Sequence, residues 1–402
     1  MVVTVQDDRL LADFSRTAEE YFSLSELRQR LESGRPLRIK YGVDVTAPYL
    51  HIGHAVNLWL MRKMQDRGHK VIFLVGDFTT RIGDPTGKSR TRPVIPQDQI
   101  EENTRQFIDQ ARLVLRFDDP ELLEIRKNSE WWNAMPVGQL MHLLSMITHS
   151  KLIARDMFQR RIEVHEEIYM HEMLYPLLQG YDSVAIQSDL TIIGFDQLFN
   201  EMLGRFYQEK FGQTPQVIIT TKITPGIDGK EKQSKSLGNY VGLGHSPRDK
   251  FGRLMRLPDH LIGLYLRTYT NMPLSDVEAI EVRAATDPFG AKKVLAREIV
   301  KLYHGADVAE REQQWFEDTF SKGETPDEIP ERTITLGPRM ALDLVMELDA
   351  ASTRSEARRL IQQGALTVSG NRVNEPHHAV DLEDGSIVKI GKRHWYRVRG
   401  TH

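Results

Sequence analysis

Cysteine is absent from the 402 residues. That excludes disulfides, thiolate metal sites and a cysteine nucleophile, and it predicts a cytoplasmic location. Also missing is any apolar run near the roughly 20 residues that a membrane-crossing helix needs. The strongest short run, Val71–Val75, has the length of a strand, and no membrane partner is expected. The first residues carry Asp7, Asp8 and Asp13 ahead of a helical pattern, which argues against a secretory leader. Excess charge of one sign is lacking as well. The 53 Lys and Arg against 56 Asp and Glu leave a net charge of −3, so only a local basic face could meet nucleic acid. The chain has no internal repeat and no low-complexity tract.

What remains is the composition of an ordinary globular protein, 40% hydrophobic and 27% charged, in a chain too long for one small core. Leu10, Leu11, Phe14, Tyr21 and Phe22 are spaced for an amphipathic helix over 9–33. Arg38–Gly42 and Val71–Val75 read as strands around a helix Gly53–Arg67 stopped by Gly68, a right-handed crossover unit. Helices over Glu101–Leu115, Val137–Ser145 and His171–Tyr181 alternate with strands at Ser183–Ile186, Leu190–Ile193 and Gln216–Thr220. The fold expected is α/β, a doubly wound parallel sheet of Rossmann type over 1–245. An all-α domain follows over 246–330, helical from 247 to 320 and ending in an acidic Gly/Pro linker at Gly323–Pro330. A small α+β domain over 336–402 completes three domains.

Two segments carry chemistry. Tyr41-Gly-Val-Asp44-Val-Thr46-Ala-Pro-Tyr-Leu-His51-Ile-Gly53-His54 leaves a strand, turns through Pro48 and enters a helix near Ile52. A helix N-terminus offers free N–H groups and a positive dipole end to phosphate. His51 and His54 lie on one face of the first turn, where they can donate to phosphoryl oxygens, and Gly53 leaves room for a flat base. A bare His-x-x-His pair is more often a capping or core pair, and zinc lacks a third ligand here. The second segment, Gly229-Lys-Glu-Lys232-Gln-Ser-Lys235-Ser236, is a basic loop able to clamp a polyphosphate, although such a loop alone is usually a solvated turn.

Three other patterns are set aside. Gly83–Ser89 has too few residues between its glycines for a Walker A loop, Gly238, Gly242 and Gly244 open no helix, and His165–Glu172 lacks zincin spacing. Tyr175, Gln179 and Asp182 fall at i, i+4 and i+7 along one helix face, a polar stripe suited to a small polar ligand or to solvent.

Taken together, His51-Ile-Gly-His54 after a first strand and Lys232-Gln-Ser-Lys235-Ser236 about 180 residues later form the paired signature of class I aminoacyl-tRNA synthetases, with Gln233 where Met is commoner. Adding Ile82-Gly83-Asp84-Pro85, the stripe helix and Gly194-Phe-Asp196-Gln197, the chain resembles the bacterial tyrosyl-tRNA synthetases from about residue 35 to the C-terminus. The resemblance implies activation of L-tyrosine by ATP, with Mg2+ accompanying the nucleotide at no dedicated protein site, and charging of tRNA-Tyr by a homodimer. It places Tyr41 and Asp182 on the substrate phenol, Asp84, Tyr175 and Gln179 on the α-ammonium, and Gln197 along the amino-acid pocket. Asp44 and Asp196 fall to the adenosine or its ribose, Gly53 and His54 to the adenosine, and Gly194 to the ATP site. Thr46 and His51 fall to the γ-phosphate, and Lys232, Lys235 and Ser236 to pyrophosphate. The family has two glycines and a small residue ahead of its Asp-Gln pair, where this chain has Ile193, Gly194 and Phe195, so Ile193 is expected to narrow the nucleotide's approach.

Ser355–Gly370 resembles the small RNA-binding domain of a ribosomal small-subunit protein. Arg354, Arg358 and Arg359 lie on its helix, and Lys389, Lys392, Arg393, Arg397 and Arg399 follow with Trp395 and Tyr396 interleaved, a face suited to RNA phosphates and an unstacked base. The alternatives are a paralogue that activates a different amino acid and a non-charging RNA-binding protein derived from a synthetase. A tryptophanyl enzyme would lack the tail and the Tyr41/Asp182 pairing, and the tail and helical domain argue against a nucleotidyltransferase acting on a small metabolite.

Overall fold

A computed structural model of the chain describes residues 5–86, 95–234, 237–321, 329–351, 353–391 and 394–401. The sheet that carries the site has six strands: β1 (Ala18–Phe22), β2 (Arg38–Val43), β3 (Lys70–Val75), β4 (Leu123–Lys127), β5 (Leu190–Gly194) and β6 (Val217–Thr221). Their spatial order is β1-β6-β5-β2-β3-β4. β2 to β6 run parallel, and β1 pairs antiparallel with β6 at one edge. β3 is buried at all but its first residue, which is why its sequence is a continuous apolar run rather than an alternation. Strand order reverses at β2 and β5, and ligands of such sheets bind beyond the carboxyl ends of the strands at that point. β2 ends just before Asp44, and β5 just before Phe195 and Asp196.

The helix after β2 runs Ile52–Gln65 with His51 at its N-cap, and Gly68 (φ 83°) takes the left-handed conformation that ends the turn beyond it. Three expectations are corrected. Residues 9–33 are not one helix: helices Val5–Ser15 and Leu24–Glu32 flank β1, whose Tyr21 and Phe22 pair with Ile219 and Ile218. The open edge of β6 offers these residues a ladder that no local pattern announces. Ser183–Ile186 is not a strand but the end of helix Met170–Ala185 and its cap, and the helix expected over Glu101–Leu115 runs Gln97–Ala111 behind Pro96. β4 was not foreseen, since as an edge strand it is polar at alternate positions.

Contacts group the chain into two compact units, Met1–Glu310 and Arg311–His402. The helices between Pro247 and His304 belong to the first. The second holds β7 (Glu331–Thr335), β8 (Gly337–Met340), β9 (Leu366–Val368), β10 (Asn371–Val373), β11 (Ala379–Leu382), β12 (Ile387–Ile390) and β13 (His394–Thr401). These form a five-stranded sheet, β10-β9-β12-β13-β7, and a β11-β8 pair, covered by helices Ala341–Glu347 and Arg354–Gln362. The expected linker at Gly323–Pro330 lies outside the described residues as far as residue 328. Among the described residues no helix is long and apolar enough to cross a membrane.

Candidate active site

A cavity of about 390 Å3 is lined by residues at the carboxyl ends of β2 and β5. It gathers Thr46, His51, Gly53 and His54 from the first signature, Lys232 from the second, and the stripe Tyr175, Gln179 and Asp182. Asp44, Asp84, Gly194, Asp196 and Gln197 also line it. Lys235 and Ser236 lie outside the described residues.

At one end the two imidazoles lie against each other, tilted by 34° with ring centroids 3.8 Å apart, and the His51 backbone N–H donates to His54 Nδ1 at 3.3 Å. Burial pushes both below the ordinary imidazole range, His54 to about 4; the His54 ring and then Lys232 push His51 the same way, and Lys232 does so for His54. Both rings are therefore neutral near pH 7 and work as hydrogen-bonding groups rather than as charges. A Cβ on Gly53 would stand 2.9 Å from His51 Nδ1, so only glycine fits without moving the ring. The chain beyond the basic loop docks onto this helix start: the Ile52 N–H donates to Val241 O and the Leu243 N–H to Leu50 O, both at 2.9 Å. Gln233 is buried and bonded at both ends of its amide, donating to Tyr269 OH at 2.9 Å and accepting from the Val241 N–H at 3.3 Å. Lys232 Nζ stands 3.5 Å from Asp196 Oδ2.

At the other end the stripe helix meets β2. The Tyr175 hydroxyl donates to Asp44 Oδ2 at 3.0 Å, and Thr79 Oγ1 donates to Asp44 Oδ1 at 2.7 Å. Gln197 Nε2 donates to Asp84 Oδ2 at 2.8 Å. Asp182 Oδ1 accepts from the indoles of Trp131 and Trp132, each at 2.9 Å, and Oδ2 accepts from Asn128 Nδ2 at 3.2 Å. Burial pushes the Asp182 carboxyl up to about 6; Lys40 and the three donors hold it from rising further. The result is a buried, ionised acceptor at neutral pH.

One placement is corrected. Tyr41 borders the cavity, but its ring packs on Phe73, its neighbour in the β2–β3 ladder, at 5.3 Å, and Phe73 in turn meets Phe117. Side chains alternate along a strand, so Tyr41 and Lys40 point to opposite faces of the sheet. It is Lys40 that faces the stripe helix, donating to Ser183 Oγ at 2.8 Å. The expected Tyr41/Asp182 pair therefore does not converge.

Residues 32–321 match the family described as tRNA synthetases class I (W and Y), and residues 342–385 match the S4 domain. The chain is a class I tRNA synthetase of that family. The synthetase is 40% identical to a tyrosine–tRNA ligase of Thermotoga maritima over 96% of each chain. It is 41% identical to one of Bordetella pertussis over 99% of this chain and 98% of that one. Among solved structures, a C-terminally truncated mitochondrial tyrosyl-tRNA synthetase of Aspergillus nidulans shares the fold, with a TM-score of 0.63 at 22% identity. That match covers 76% of this chain and 91% of the other.

In the synthetase's second unit, Arg358 and Arg359 are exposed on helix Arg354–Gln362, while Arg354 pairs with Asp343 at 2.6 Å. Lys389 Nζ stands 4.4 Å over the Trp395 ring. Arg399 is paired by Glu331, distant in sequence, and by Asp384, just ahead of the basic stretch. Lys392 and Arg393 lie outside the described residues. Sequence reasoning missed Lys40, Trp131, Trp132, Asn128 and Glu201. Lys40 and Glu201 line the cavity, the other three reach it through Asp182, and all five bond partners far along the chain that no local spacing signals.

Proposed function

We propose that the chain activates L-tyrosine with ATP and transfers the tyrosyl group to the terminal ribose of tRNA-Tyr. The observation that carries this is the single cavity shared by His51, His54, Lys232 and the stripe Tyr175, Gln179 and Asp182. The phenol hydroxyl of tyrosine donates to Asp182, whose Oδ2 accepts from Asn128 alone among the described residues and so has a lone pair to offer. The α-ammonium lies among Asp84, Tyr175 and Gln179, with Gln197 beside it. ATP lies with its adenosine against Gly53 and His54 and near Gly194, its ribose toward Asp44 and Asp196, and its γ-phosphate toward Thr46 and His51. Lys232, Lys235 and Ser236 close over the departing pyrophosphate.

The tyrosine carboxylate attacks the α-phosphorus, the bond to the β-phosphate oxygen breaks, and pyrophosphate leaves. No protein nucleophile is needed, because positioning and positive charge at the leaving group supply the catalysis. A hydroxyl of the terminal ribose then attacks the carbonyl carbon of the adenylate and AMP departs. No cluster of three His, Asp or Glu able to hold a metal occurs among the described residues, and Asp44, Asp84 and Asp196 already have partners. Mg2+ would accompany ATP and neutralise part of the charge on its phosphates. Residues 1–245 carry the chemistry, while 246–330 and 336–402 hold the tRNA through surfaces that include Arg354, Arg358, Arg359, Lys392 and Arg393. The chain works in the cytoplasm as a homodimer, and the exposed Val137, Met141, Val164 and Met170 support an interface along that segment.

ATP–pyrophosphate exchange with each amino acid in turn tests the reading. Exchange that depends on tyrosine is expected, and none with any amino acid would overturn it. Lys40 on the face expected for Tyr41, with Ile193 lining the cavity, favours one other reading, a synthetase for a different amino acid with a hydrogen-bonding side chain. Exchange with that amino acid in preference to tyrosine would select it.

A further inference from the structure

In the wall of the cavity at its amino-acid end lies an ion pair that the reaction does not itself require. Lys40 Nζ and Glu201 Oε2 are 2.8 Å apart, with side chains 1% and 2% exposed. Removing two charges from water costs several kcal/mol per ion, and a buried pair is weak evidence for stability. Its contacts suggest a different task.

Glu201 Oε1 accepts from Gln179 Nε2 at 2.8 Å, and Oε2 accepts from Gln216 Nε2 at 2.8 Å. Lys40 Nζ donates to Ser183 Oγ at 2.8 Å and to the Gln179 carbonyl at 3.3 Å. The pair thus grips Gln179 at its backbone and at the nitrogen of its side-chain amide. Asn200 Nδ2 donates to Gln179 Oε1 at 2.8 Å and to Gln197 Oε1 at 3.0 Å, and Gln197 Nε2 goes on to Asp84. Both glutamine amides are fixed with nitrogen toward a carboxylate and oxygen toward Asn200. An amide oxygen has two lone pairs, so Gln179 Oε1 keeps one for a ligand.

We propose that Lys40 and Glu201 are positioning residues that set the Gln179 amide so that its oxygen, not its nitrogen, faces the α-ammonium of the amino acid. This rests on the ammonium role given to Gln179 above. A reversed amide would present N–H to a cation, so the orientation decides whether Gln179 attracts or repels the substrate. Glu201 is the group that excludes the reversed state, because a carboxylate can only accept.

The test compares tyrosine with 3-(4-hydroxyphenyl)propanoate, the same molecule without its ammonium, by calorimetric binding to the full chain. The wild type is expected to prefer tyrosine clearly. Glu201→Gln, which keeps the shape but can donate, should reduce that preference about tenfold and leave the affinity for the propanoate within about twofold. Lys40→Met/Glu201→Leu removes both charges at once, which a buried pair tolerates better than loss of one partner. It should keep the wild-type melting temperature within a few degrees and show the same reduced preference. Equal losses for both ligands, or a preference kept in both variants, would overturn the inference. A wild type that binds both ligands equally would instead overturn the ammonium role of Gln179.

Discussion

Asp182 is buried and accepts three hydrogen bonds, yet burial lifts its pKa from 3.8 to about 6. A carboxyl raised in the folded state favours the folded, protonated form, so its contribution to stability is full below its ordinary pKa and lost as pH rises through about 6. Substrate binding runs the opposite way, since the ionised oxygen accepts the phenol proton better. Tyrosine affinity should therefore strengthen between about pH 5 and pH 7 with a midpoint near 6, read as the Kd for tyrosine across pH. Asp182→Asn should remove that step, weaken tyrosine binding more than ATP binding, and lessen the fall in denaturant stability over the same range. Loss of both substrates alike would show that Asp182 has another role. The histidines give a second test at this scale. His51 and His54 are held neutral by burial, so the rate of adenylate formation should show no break in the ordinary imidazole range. A break there that vanishes in His54→Asn would mean that the ring carries a proton during catalysis.

Helices Met170–Ala185 and Leu198–Lys210 meet backbone to backbone. A Cβ on Gly180 would stand 3.0 Å from the Leu203 backbone, and one on Gly204 would stand 2.8 Å from Ser183 Oγ. Gly180→Ala should therefore cost about 1–3 kcal/mol of stability, although alanine normally favours a helix. Because Gln179 is next in the chain, the tyrosine KM should rise with it while the ATP KM stays; thermal melting and exchange kinetics read the two effects. An unchanged melting temperature would show that the helices have slack. Elements of this kind were partly legible in the sequence. β3 and the helix Val137–Ser145 were found within a residue of their bounds, because length and periodicity settle them locally. β1 was not legible, since its reason to be a strand is the edge formed by Ile218 and Ile219 near the other end of the domain. Nor was the facing of β2. Lys40 and Tyr41 are both buried, so alternation separates their directions without saying which one meets the stripe helix. Local signatures placed the histidines and Lys232 in one cavity, whereas the indoles that hold Asp182 come from the short helix Ser129–Trp132, about 50 residues away.

The second unit builds its core from its own residues: Leu344 and Val345 from one helix, Ala357 and Ile361 from another, and Val388 and Val398 from the sheet. A unit with its own core can be removed without opening the core of the first. Every described residue of the cavity falls before residue 311, so activation is expected to be separable from the second unit's share of the proposed grip on tRNA. Removing residues 329–402 should leave tyrosine-dependent pyrophosphate exchange within about twofold and lower tRNA charging at least tenfold, the loss falling on the KM for tRNA. Arg358→Glu/Arg359→Glu in the full chain addresses the same surface without truncation, because both side chains are exposed and neither supports the core. It should reproduce the charging defect, flatten the salt dependence of tRNA binding, and leave exchange untouched. Charging at the wild-type rate in both proteins would mean that the tRNA is held by the first unit alone. A charging loss in the truncated chain but not in the double variant would move the contact from this helix to the sheet around Lys389 and Trp395.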